Sequence, residues 1–219
     1  MTRLATLLVL ADGRLPAGGH AHSGGLEAAV TSGRLRDLTG LAAFLRGRLA
    51  GTGRVAAAFA AAACAAPAPP DARIGALEEG MDARTPSPAL RRASRAQGRA
   101  LLRAGRAIWP VQPAIRDSHH PVALGVVAAA AGLSPAEAAV AAAYGTVSGP
   151  ASAAVRLLGL DPYAVHSLLA DLADACDRTA ALAAAGADDP VDLLPADSTP
   201  LLEIGAEVHA SWEVRLFAS

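Results

Sequence analysis

The chain has 219 residues, within the range of a single domain, and 53% of them are hydrophobic while only 3% are aromatic. It contains no lysine, so its 19 basic residues are all arginine, and its formal net charge is −1. Missing lysine excludes a conventional P-loop NTPase, a protein kinase and a pyridoxal-phosphate enzyme, each of which needs that amine. A near-neutral charge speaks against general nucleic-acid binding.

Alanine dominates the apolar set and has the highest helix propensity, whereas strand formers are sparse. An all-α bundle of about ten helices in one domain is expected, over 3–11, 23–31, 37–65, 71–80, 88–107, 121–131, 135–147, 151–158, 162–185 and 200–211. Ser87-Pro88, Ser134-Pro135, Asp161-Pro162 and Thr199-Pro200 each set a capping side chain before a proline at the first helical position. Glu137 completes a capping box with Ser134. Pro67, Pro69 and Pro70 end the helix over 37–65, and Gly132 and Gly159 read as C-terminal caps. Residues 108–119, with Pro110 and Pro113, read as irregular, and 186–198 as an exposed loop. The apolar runs Leu4–Ala11, Val55–Ala66 and Val122–Leu133 are too short to span a bilayer, and the first lacks a signal-peptide cleavage pattern. Cys64 and Cys176, far apart and outside any CxxC, read as small buried hydrophobes in a reducing compartment.

Charge is unevenly placed. Residues 84–116 hold eight arginines and no acid, whereas 160–219 hold eight Asp and three Glu against Arg178 and Arg215. Such asymmetry suggests complementary contacts within the fold or with a partner. Arg91, Arg95, Arg99 and Arg103 recur every four residues and form one helix stripe, either a solvated face or a docking face for an acidic surface. RNA binding is disfavoured because no aromatics interleave the stripe.

The stretch Asp12–Glu27 carries Pro16, Gly18, Gly19, Gly24 and Gly25, signals of tight turns or close backbone approach. A phosphate cradle there is a weak reading without a lysine. Ala21-His-Ser-Gly-Gly25 resembles a degenerate nucleophile elbow, so a serine hydrolase using Ser23 is the alternative function; it requires an upstream strand and a parallel sheet. His20 and His22, with His119-His120, are either hydrogen-bonded turn histidines or partial ligands for a soft divalent ion. The closing stretch Trp212–Ser219 is unusually apolar for a chain end and should dock, on its own domain or in a partner's groove.

Taken together, Leu10-Ala11-Asp12, Leu15-Pro16, Gly18-Gly19, His22-Ser23, Gly25-Leu26-Glu27, Ser94-Arg95, Gly98-Arg99, His120-Pro121, Gly125, Ser152-Ala153, Val155-Arg156-Leu157, His209 and Arg215-Leu216-Phe217-Ala218-Ser219 resemble the UreF family of urease accessory proteins over essentially the whole chain. The family usually has an aromatic residue where this chain has His20. The resemblance implies a cytoplasmic, dimer-forming, non-enzymatic scaffold that joins UreD (also called UreH) and the GTPase UreG. That assembly delivers nickel to the urease apoprotein in a GTP-dependent step, and the scaffold is a candidate regulator of GTP hydrolysis. It implies no tightly bound cofactor, only transient nickel, and no metal ligand set or catalytic residue. Partner contacts are expected at Glu27, Arg91, Arg95 and Arg99, and in a tail over about 212–219 at Arg215, Leu216, Phe217 and Ser219. Asp12, Pro16, Gly18, Gly19, His22, Ser23 and Gly25 are expected to form a structural motif.

Overall fold

A computed structural model describes residues 3–66, 71–112 and 115–219. Pro67, Pro69, Pro70 and Pro113 therefore lie outside the described residues. Among the described residues all regular structure is helical: α1 Leu4–Ala11, α2 Leu26–Thr31, α3 Leu38–Arg48, α4 Arg54–Cys64, α5 Asp71–Ala83, α6 Pro88–Ile108, α7 His120–Ala130, α8 Pro135–Leu158, α9 Pro162–Ala185 and α10 Pro200–Ala210. Short 3-10 turns cover Gly19–Ala21 and Val191–Leu193. A π-helical turn, Leu49–Gly53, joins α3 to α4 without a break in helical dihedrals, so this pair forms the one long rod expected over 37–65.

The core is built around α4, which packs against α7, α8 and α9. Alanines 57, 58 and 60–63 are all buried with Phe59, and their small side chains let neighbouring helices approach closely. Gly125 on α7 permits a close crossing with α4: a Cβ there would lie 2.3 Å from the Ala60 carbonyl oxygen and 2.7 Å from Ala63 Cβ. One cluster of buried apolar residues runs from Leu10 to Phe217 and draws on nearly every helix.

The helix ends follow the capping chemistry of the sequence. Ser87 accepts from the Leu90 amide, Asp161 from the Tyr163 amide, and Ser134 and Glu137 form the reciprocal box. Gly132 and Gly159 adopt φ of +73° and +63°. Thr199 departs from this pattern, since its side chain makes no capping bond and its Oγ1 is buried without a partner.

The structure joins the two helices expected over 135–147 and 151–158: α8 runs unbroken from Pro135 to Leu158 with Pro150 inside. Proline lacks the N–H that would bond the carbonyl four residues back, here Thr146. Arg48 Nε donates to that carbonyl at 3.2 Å and replaces the lost bond. The segment 186–198 is also not a free loop. Arg84 donates to the carbonyls of Val191, Leu194 and Pro195, Arg73 donates to those of Ala187 and Asp189, and Leu194 and Ala187 are buried.

Candidate functional site

The glycine-rich segment and the closing segment, at opposite ends of the sequence, meet in space. Gly24 and Gly25 both take positive φ, +63° and +87°. They also sit too close to neighbours for a side chain: a Cβ at Gly24 would lie 3.0 Å from Pro150 Cγ and 3.2 Å from Arg48 Cζ. The tight turn directs Ser23 inward and starts α2 at Leu26, three residues later than the spacing alone suggests. Asp12 shapes the start of the same segment by accepting from the Arg14 backbone and guanidinium, which hold its carboxyl down at about 2.

Glu27 is the anchor of this junction. Only 5% of it is exposed, and one oxygen accepts from Leu216 N at 2.8 Å while the other accepts from Phe217 N at 3.0 Å. His209 Nε2 of α10, itself buried, lies 2.8 Å from the second oxygen. Burial pushes the Glu27 carboxyl up, but these donors outweigh it and leave it below its ordinary value. Further along, the Ala218 amide donates to the Ala21 carbonyl, and Ser23 donates to the Ser219 main-chain oxygen through both its amide, at 2.6 Å, and its hydroxyl, at 2.9 Å. His22 Nδ1 shares a 2.7 Å hydrogen bond with the Ser219 hydroxyl. Phe217 is buried beneath the Arg156 guanidinium, 4.5 Å from ring centre to Cζ.

The tail thus docks on its own domain, with an alternation that divides its residues. Phe217 points in and Ser219 is half-buried, whereas Val214, Arg215 and Leu216 stand out in solvent, Leu216 at 76% exposure. Leu201, Ile204 and Val208 on α10 are also largely exposed, and their spacing puts them on one side of that helix. Glu27 holds the segment from behind and offers no free surface of its own.

Ser23 is fully buried, its hydroxyl donates to Ser219 and accepts from the Glu27 amide, and the segment upstream is helix α1 rather than a strand. The local context needed for a nucleophile elbow is therefore not found.

The arginine stripe on α6 is largely engaged within the chain. Arg95 pairs with Asp82 at 2.8 Å, Glu78 at 3.4 Å and Asp117 at 3.5 Å. Arg99 pairs with Asp117 at 2.8 Å, and Arg91 donates to the Thr85 and Pro86 carbonyls. Behind this row His119 is fully buried, with Nε2 2.9 Å from Asp82 and Nδ1 3.0 Å from the Ser94 hydroxyl. Glu78 accepts from the His119 amide and the Ser118 hydroxyl. This network ties α5, α6 and the start of α7 together. His120 turns the other way, into a cavity of about 780 Å³ that His22, Gly24, Arg48 and Ser219 also line. Burial, and secondarily the neighbouring His22, push the His120 imidazole down to about 4. Among the described residues no group of three or more His, Cys, Asp or Glu is arranged to hold a metal ion, and no helix is long and apolar enough to cross a membrane.

The UreF family model matches residues 35–173. Curated relatives match over their full length and that of this chain. "Urease accessory protein UreF" of Mycobacterium sp. (strain JLS) is 49% identical over 222 residues, that of Mycobacterium marinum 49% over 224, and that of Mycobacterium tuberculosis (strain H37Rv) 40% over 228. These matches place the chain in a class of urease accessory proteins. Within that class, the chain belongs to the UreF family.

Proposed function

We propose that this chain is the bridging component of urease metallocentre assembly. It works as a cytoplasmic homodimer that joins UreD (UreH) and the GTPase UreG and presents them to the urease apoprotein. Nickel is the cargo of that assembly, and this chain has no resident metal. GTP hydrolysis belongs to UreG, with this chain as its regulator.

The observation that carries the reading is the closing segment. It is held rigidly by Glu27, Ser23 and His22, yet presents Val214, Arg215 and Leu216 outward. Exposed apolar side chains on an ordered support are what a protein partner can bury at little ordering cost. The side chains of Leu201, Ile204 and Val208 add apolar surface on α10. UreD is the partner proposed for this region, and arginines of α6 that form no ion pair among the described residues, such as Arg92 and Arg103, are the better candidates for UreG. Coexpression of urease subunits and the remaining accessory proteins, with and without this chain, tests the reading. Urease activity should depend on the chain; equal activity in both cultures refutes it. Titration of the purified protein with Ni²⁺ should show no tight site that is lost when His22, His119 and His120 are replaced.

A further inference from the structure

Two arginines fasten the seat of the closing segment to a single helix. Pro150 leaves the Thr146 carbonyl of α8 without its usual amide donor, and Arg48 Nε takes that place at 3.2 Å. The same guanidinium donates through Nη1 to the Gly24 carbonyl. Burial pushes it down to about 10, so it stays charged at neutral pH and both bonds are charge-assisted. Gly24 directly follows Ser23, whose amide and hydroxyl hold the Ser219 main-chain oxygen. The glycine turn also rests on the proline itself, since a Cβ at Gly24 would lie 3.0 Å from Pro150 Cγ.

The second bridge starts on α8. Arg156, further along that helix, stacks on Phe217 and donates through Nη2 to the His20 carbonyl at 3.2 Å. The seat is thus tied to α8 at the proline turn and again near the helix end. Its other support, Glu27 with His209, belongs to α2 and α10. In the same stretch of α8, Tyr144, Gly145 and Ser152 are exposed, so the bridged part of the helix meets solvent on its outer side.

We infer that the closing segment is a latch on α8: its seat and the helical turn over 146–150 form one cooperative unit through Arg48 and Arg156, so that releasing the segment loosens that turn. Proteins open in cooperative units of this size, and the supporting contacts here are direct bonds rather than proximity alone. Coupling is reciprocal, so cutting the Arg48 bridge also weakens the hold on the segment. A protein that takes hold of the segment therefore acts on the exposed stretch of α8 as well. The inference is independent of the partner assignments above, because it is read on the isolated chain.

The test is hydrogen exchange on the purified chain, with the α7 amides as internal reference. Deleting Arg215–Ser219 removes the latch outright. The amides of 147–149 and 151–154 should then exchange about tenfold faster or more, while α7 amides keep their wild-type rates. Arg48→Met keeps an apolar stem but removes both bonds. It should speed exchange at 216–218 about tenfold, although Arg48 donates to none of those residues. If the deletion fails to fold, Glu27→Gln releases the segment from its other side and carries the first comparison; if Arg48→Met fails to fold, that comparison alone decides. Unchanged exchange at 147–154 once the segment is released overturns the inference, as does a rise that α7 shares equally. Unchanged exchange at 216–218 in Arg48→Met overturns it too.

Discussion

Replacing Glu27 with Gln tests the junction of the two chain ends at nearly constant volume. The carboxylate accepts from Leu216 N, Phe217 N and His209 Nε2 at 2.8–3.0 Å. A hydrogen bond to a charged acceptor contributes about 1.5–3 kcal/mol and one to a neutral acceptor about 0.5–1.5. The amide has only one accepting oxygen, so at least one donor loses its partner and the others lose their charge assistance. The expected loss is about 2–3 kcal/mol of docking energy. The global effect is bounded by the cost of detaching the segment, chiefly re-exposing Phe217 at about 2 kcal/mol. Hydrogen exchange separates the two. At about 1.4 kcal/mol per tenfold, the Leu216, Phe217 and Ala218 amides should exchange about 30- to 100-fold faster, while α4 amides keep their wild-type protection. Unchanged exchange at 216–218 refutes the anchoring role of Glu27. The pH dependence has a definite sign. A carboxyl held below its ordinary value stabilises the docked segment fully above about pH 5, and that stabilisation fades as pH falls through the depressed native value. Glu27→Gln should remove this acid sensitivity.

Other predictions concern the body of the fold. His120 is held down at about 4, so the unfolded chain binds the proton first. Stability is then complete above about pH 6.5 and falls as pH drops towards 4, and His120→Gln should flatten that part of the denaturation-midpoint profile. A Cβ at Gly98 would lie 2.0 Å from the Ser118 carbonyl oxygen, so Gly98→Ala should cost about 2 kcal/mol or more in urea unfolding. At Gly149 a Cβ meets nothing within 4 Å inside α8, and Gly149→Ala should instead stabilise by about 0.5–1 kcal/mol. Arg84→Met removes the donors that hold 186–198, and limited proteolysis should then cut that segment first.

Much of this architecture is legible in the sequence because helix ends carry local chemistry. Ser87, Ser134, Asp161, Gly132 and Gly159 signal their boundaries within a few residues. What escapes local reading depends on distant donors. Pro150 looks like a break until Arg48 reaches across to Thr146. The segment 186–198 looks free until Arg73 and Arg84 dock it. The basic stripe looks unpaired because Asp82 and Asp117 flank the arginine-rich window just outside its ends, and Glu78 precedes it. Thr199 has the right residue type for a cap but its hydroxyl turns away from the helix amides. At the site, the glycine loop and the apolar ending are each visible as unusual, and the family resemblance names both. Nothing local signals that Glu27 bonds residues 216 and 217, or that Ser23 bonds 219, since those contacts span nearly the whole chain.

The most direct test of the proposed bridging role is capture of UreD by this chain in three forms: wild type, Leu216→Asp, and a deletion of Arg215–Ser219. Leu216 is exposed and contributes only its backbone amide to Glu27, so the substitution alters the presented surface while leaving the support intact. Loss of UreD capture in both variants, with wild-type helicity by circular dichroism, is the predicted result. Undiminished capture by both contradicts the account.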